Sequence, residues 1–154
     1  MPSEYIMYLS ILLVGTLAIA GIAVTMIAIN NTMEETALKT NMENILQNMA
    51  ETIHNLLNEG QNQINLGAIS INMQRPLTLP QEIQNEAYEI EVVSSENTYS
   101  LKATVIKNED IFVTVSLFID PSVLTISGTI LSLNSSPTII YVYDGADINI
   151  SLVD

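Results

Sequence analysis

Residues 5–29 read YIMYLSILLVGTLAIAGIAVTMIAI, 25 positions without a charge. At ~1.5 Å rise per residue, a helix of this length exceeds the ~30 Å hydrocarbon thickness of a bilayer. A cleaved secretory signal would have a basic n-region and an apolar core of roughly 7–15 residues. Here only the acidic Glu4 precedes the run, and the run is too long, so the stretch is expected to be a retained helix. Its flanks, Glu4 on one side and Glu34, Glu35 and Lys39 on the other, set no orientation by the positive-inside bias. The missing basic flank is expected either of a processed subunit whose basic leader preceded Met1 and was removed, or of a protein that breaks the usual pattern. Small residues recur within the run at Gly15, Thr16, Ala18, Ala20, Gly21 and Ala23. Such residues let helix backbones approach closely where hydrophobicity cannot drive association. The helix is therefore expected to pack against copies of itself through a surface that includes Tyr5, Leu9, Leu12, Leu13, Gly15, Leu17, Gly21, Val24 and Ile27.

The chain continues beyond Ile29 without Pro or Gly until Gly60. Apolar residues recur at Leu38, Met42, Ile45, Met49, Ile53 and Leu56, with spacings of 4, 3, 4, 4 and 3. They form one stripe on an α-helix, widened by Ala37, Leu46, Ala50 and Leu57. The opposite face carries Glu34, Glu35, Asn41, Glu43, Asn44, Asn48, Glu51, Asn55 and Asn58. Thr32 could divide the two halves as an N-cap, three residues before Glu35 as in a capping box. A continuous helix over roughly residues 3–59, on the order of 85 Å long, is preferred, with Gly60 as its C-cap. Domain 1–60 is then this helix, apolar over 5–29 and amphipathic over 33–59, and domain 61–154 is a β-rich head.

From about Gln61 the pattern changes to period two with β-branched residues. Strands are expected at Ile64–Met73, Ala87–Val93, Thr98–Ile106, Ile111–Ile119, Val123–Leu133, Thr138–Val142 and Ile148–Val153. The intervening turns are Arg75-Pro76, 94–97, 107–110, Asp120-Pro121, 134–137 and 144–147. The fold class is α+β, with a long helix followed by an antiparallel β-sandwich-like or strongly curled head. A head of this size has a small core, which the stripe Leu38, Met42, Ile45, Met49, Ile53 and Leu56 is expected to complete.

The composition excludes several partners. The net charge is −13 with only four basic residues, Lys39, Arg75, Lys102 and Lys107. No basic patch is available for nucleic acid or for an anionic lipid surface. There is no cysteine, hence neither a disulfide framework nor a thiolate metal site.

A charge-free helix running into an amphipathic one and then into a β-rich head resembles the type IV pilin superfamily. The disulfide-free head, rich in Thr, Ser, Ile and Val, is most similar to its archaeal branch of pilins, archaellins and accessory proteins. The resemblance covers the whole chain as architecture. It implies a basic leader cut by a prepilin-type peptidase, residence in the cytoplasmic membrane before assembly, and polymerisation by pilus assembly machinery into a helical filament on the cell surface. Bacterial pilins carry a glutamate five residues into the mature chain, whereas the nearest here is Glu4, after Pro2 and Ser3. Archaeal members often lack that glutamate. The Gly-Ile-Gly start of many archaellins is also missing, which ranks an adhesive pilus above a swimming filament. The alternatives are an archaellin and a monomeric membrane-anchored protein whose head binds a surface-layer or motility-machine partner.

Other chemistry is sparse. The sequons Asn30-Asn31-Thr32, Asn134-Ser135-Ser136 and Asn149-Ile150-Ser151 are candidate glycan acceptors on an exported domain, against the reading of unmodified hydrogen-bonding asparagines. Asn134 is favoured among them because it sits in a turn. The single histidine, His54, supplies neither a metal cluster nor a triad and reads as a solvent or interface residue. Asp144-Gly145-Ala146-Asp147 lacks the alternation of an EF-hand and reads as a hairpin turn. Glu82, Glu86, Glu89, Glu91 and Glu96 read as a solvated acidic face. No phosphate loop or nucleophile elbow occurs, so no enzyme activity, cofactor or metal is expected.

Overall fold

The computed structural model describes residues 2–95, 97–134 and 136–154, with side chains from Glu4 onward. Helix α1 runs over Pro2–Asn65 without a break. Seven strands follow: β1 Ile71–Pro76, β2 Tyr88–Ser94, β3 Tyr99–Val105, β4 Asn108–Ser116, β5 Thr125–Leu131, β6 Thr138–Tyr143 and β7 Ile148–Val153. The fold is α+β. The strands join in one sheet of order β1-β6-β7-β5-β2-β3-β4. All neighbours are antiparallel except β5 and β7.

Contacts divide the chain into two compact units, residues 1–37 and 38–154. In the first, every side chain from Glu4 to Ala37 is exposed. In the second, the apolar stripe of the helix meets the sheet. Leu38, Met42, Leu46, Met49, Ala50, Ile53 and Leu56 are buried with Tyr88, Ile90, Leu101, Ile130, Ile139 and Tyr141. The helix segment from Leu38 onward thus belongs to the same compact unit as the sheet, because its apolar side chains have their partners there.

Several sequence expectations move. Thr32 does not divide the helix: its Oγ1 donates to the Ala28 carbonyl at 2.9 Å, a bond made inside an unbroken helix. Gly60 is not the C-cap. The helix ends at Asn65 and is stopped by Gly67, whose φ of +92° suits glycine. Gly67 N–H donates to Ile64 C=O at 2.9 Å and Ala68 N–H to Gln63 C=O at 3.0 Å, the paired bonds of a Schellman stop. The first strand therefore starts at Ile71 rather than Ile64, because residues 64 and 65 are still helical. β4 starts at Asn108 rather than Ile111, since the turn tightens to Ile106 and Lys107. Residues 77–86 form no strand. Ile83 and Glu86 exchange two backbone bonds of 3.0 Å around Gln84 and Asn85, both at positive φ, as a two-residue primed turn requires. Glu96 of the expected acidic face and Ser135 of the 134–137 turn lie outside the described residues, as does Met1.

Strand β5 changes partners along its length. Thr125–Gly128 pair with Asn149–Leu152 of β7, and Thr129–Leu131 pair with Glu89–Glu91 of β2. Gly128, at φ +116°, is the pivot. A Cβ there would collide with the Leu152 backbone, 2.8 Å from its nitrogen. Ser132 extends the junction: its Oγ accepts from Tyr88 N–H at 3.0 Å and its N–H donates to Tyr88 C=O at 2.9 Å.

Candidate assembly surface

The apolar half of α1 carries its large side chains in the open. Tyr5, Leu9, Leu12, Leu13, Leu17, Val24 and Ile27 are all exposed, none below half of full accessibility. Gly15 and Gly21 have nothing within 4 Å of where a Cβ would stand. By length and composition this helix suffices to cross a membrane. Three-dimensional spacing adds a pattern that the sequence reading did not isolate. Ala18, Gly21, Thr25, Ala28 and Thr32 follow one another at intervals of 3, 4, 3 and 4, so they share one helix face. That face is narrow and small, the type of surface on which helix backbones approach one another.

The serine and threonine hydroxyls of residues 5–29 are internally satisfied. Ser10 Oγ donates to Ile6 C=O at 2.8 Å, Thr16 Oγ1 to Leu13 C=O at 2.9 Å and Thr25 Oγ1 to Gly21 C=O at 2.8 Å. A hydroxyl left without a partner in an apolar medium costs several kcal/mol. Here the Ser10, Thr16 and Thr25 hydroxyls are each bonded within their own helix, while the phenols of Tyr5 and Tyr8 stand exposed near its N-terminal end.

In residues 38–65, Leu38, Met42, Met49, Ile53 and Leu56 are buried as expected for the helix–head contact, and Ile45 is partly buried. Leu46, read from sequence as a flanking position, is fully buried. His54 is exposed on the opposite face. Arg75 on β1 reaches back to Glu59 at 2.7 Å, a half-exposed pair worth little by itself.

Of the sequon asparagines, Asn30 is exposed within α1, and Asn149 is exposed on β7 opposite Val142 and Thr125. Asn134 is exposed beside the 131–134 turn. The acidic residues do not act as one cluster. Glu91 pairs with Lys102 at 3.0 Å, and Glu86 with Lys107 at 3.3 Å. Lys102 also lies 5.5 Å from the Phe112 ring centroid. The Asp144 loop is a turn held by its own carboxylate. Oδ1 accepts from Ala146 N–H at 3.0 Å and Asp147 N–H at 2.9 Å, and those bonds hold the carboxyl below its ordinary range. Among the described residues, no group of three His, Cys, Asp or Glu side chains is placed to share a metal ion.

The sequence profile of a family described as a family of unknown function (DUF7266) matches residues 4–153, and the chain belongs to that family. The match takes in the apolar helix and the sheet together. No curated protein and no solved structure matches the chain.

Proposed function

We propose that this member of the DUF7266 family is a structural subunit of an extracellular type IV pilus-like filament that serves surface attachment. It polymerises through residues 5–29 of its N-terminal helix. The observation that carries the reading is an unbroken helix whose apolar half is entirely exposed. An apolar surface of this extent has to be covered by lipid or protein. The Ala18–Thr32 small-residue face favours protein as the final cover, with lipid before assembly. The acidic composition supports the same view: copies that repel through their heads stay soluble until the helices bring them together.

The test is substitution within the apolar helix of the full chain. At Gly15 and Gly21 an added Cβ meets nothing within 4 Å, and leucine is the better helix former by somewhat less than about 1 kcal/mol. Any loss of assembly is then a loss of packing between copies. The expected result is that Gly21→Leu and Leu12→Lys abolish surface filaments while the rest of the chain stays folded. Normal filaments from these variants would exclude polymerisation through this helix and leave a monomeric membrane anchor as the better reading.

A further inference from the structure

The strained residue Phe118 stands between β4 and β5. Its φ is +52°, a left-handed conformation that costs a bulky side chain energy, and its ring is 88% exposed. Its neighbours explain how the conformation is held. Leu117 N–H donates to Tyr99 C=O at 2.8 Å, and Tyr99 N–H donates to Ile119 C=O at 3.2 Å. Tyr99 thus faces both bonded neighbours of Phe118, as at a β-bulge. Leu117 and Ile119 are buried on either side, and Phe118 N–H donates to Ser116 Oγ at 3.3 Å. The fold fixes a large aromatic ring outward, where its own core gains nothing from it.

At the other edge of the sheet lies a groove of about 530 Å³ between the helix and the segment after β1. Its lining is mixed: Ile45, Leu77 and Leu79 supply apolar surface, and Asn48, Asn55, Thr78 and Arg75 supply polar surface. Its volume is in the range of pockets that accept aromatic groups. β1 and β4 are the two outer strands with five others between them, roughly 29 Å measured along the sheet. Phe118 and the groove of its own chain thus stand at opposite edges of the sheet.

We propose that Phe118 of one copy docks in the groove beside Arg75 of the next copy, a head-to-tail contact between the β-rich units; this rests on the filament reading. Polar groups at the two places are complementary, although Arg75 already pairs with Glu59 at 2.7 Å and offers only its remaining donors. Asp120, two residues after Phe118, is exposed and accepts from Ser122 N–H at 2.8 Å, which keeps it ionised. Arg75 is one of only four basic residues in the chain and retains donors beyond its bond to Glu59. Because knob and groove are different surfaces, the contact is heterologous and repeats without closing, the geometry an open filament needs. A single aromatic ring buries on the order of 150–250 Å², far short of the ~800 Å² per partner of a stable pair. The contact therefore forms only where the helices already hold copies together at high effective concentration. That requirement selects a filament neighbour over a free protein as the occupant.

The chain has no cysteine, so Phe118→Cys and Thr78→Cys can be combined in the full-length protein and oxidised on cells. The expected product from purified filaments is a ladder of covalent oligomers from the double variant, and monomer from each single variant. Filaments of normal abundance without a ladder would overturn the contact and leave the filament reading intact. Dimers from Phe118→Cys alone would overturn it in favour of a symmetric pair. If the chain forms no filaments, the filament reading falls, and the contact that rests on it falls with it.

Discussion

The ring of Tyr141 lies across the backbone of Gly60, so that a Cβ at Gly60 would stand 2.8 Å from Cε1 and 2.5 Å from Oη. This contact turns a helix-interior glycine into a notch that admits a fully buried tyrosine from β6. Glycine inside a helix costs about 1 kcal/mol relative to alanine, and the notch explains why the fold bears that cost. Gly60→Ala should destabilise by a net ~1–2 kcal/mol, because overpacking a rigid ring outweighs the propensity gained. Tyr141 Oη is buried without a hydrogen-bond partner among the described residues. Tyr141→Phe should therefore stabilise by about 1 kcal/mol. Chemical denaturation of the full chain in detergent, followed by near-UV circular dichroism, reads both.

Gly128 is the second position where a methyl group is not tolerated. Its φ of +116° and the Leu152 backbone facing it leave no side chain to move aside. Gly128→Ala should cost at least about 2–3 kcal/mol and disconnect β5 from β7. Amide exchange should then rise on Ile150 and Leu152 before it rises on β3. A variant with unchanged exchange and stability would contradict the pivot role.

Phe118→Asn offers a prediction with opposite signs for stability and assembly. Asparagine tolerates the left-handed conformation, and the exposed ring contributes no core packing. The unfolding free energy should rise by roughly 0.5–1 kcal/mol. Filaments of the same variant should shear more readily, since the proposed knob is gone. Lower stability in the variant would show that Phe118 serves its own fold.

Two ends of the pH scale carry specific expectations. Burial pushes the Tyr88 phenol up to about 12 from 10.0, and its hydroxyl donates to Pro80 C=O at 2.7 Å. A folded value above the unfolded one means a contribution that is full below pH 10 and is lost as pH rises from 10 to 12. Tyr88→Phe should flatten that decline, as spectrophotometric titration and denaturation at pH 9–12 would show. Asp120 and Asp144 are held below the ordinary value of 3.8 by backbone N–H donors, those of Ser122 and of Asp147 and Ala146 respectively. Their contribution is present above that value and lost as pH falls below it. Asp144→Ala should lower stability at pH above about 4 and flatten the acid limb, so that the difference from the parent chain vanishes at low pH.

What the sequence revealed divides along physical lines. The 3.6-residue stripe at Leu38, Met42, Met49, Ile53 and Leu56 is a local signal, and those residues are buried. The period-two runs placed seven strands because alternation is also local. The stop of the helix was misplaced at Gly60 because a glycine inside a helix and one that ends it look alike in sequence. Only the distant Tyr141 distinguishes them. The parallel pairing of β5 with β7 and the handover at Gly128 are long-range and leave no mark on local periodicity. The bulge at Phe118 was hidden for a related reason: Leu117 and Ile119 keep an in-out-in rhythm through it. The groove beside Arg75 combines residues 45–55 with 75–79, and no spacing rule joins them.

The most direct test of the central claim is the subunit composition and architecture of filaments sheared from the surface of cells that express the full chain. Mass spectrometry combined with helical reconstruction by electron cryomicroscopy would supply both. The expected result is filaments built mainly of this chain, with residues 5–29 bundled along the axis and the β-sheets on the outside. Recovery of the chain only as a monomer in the membrane fraction, with filaments made of other proteins, would contradict it.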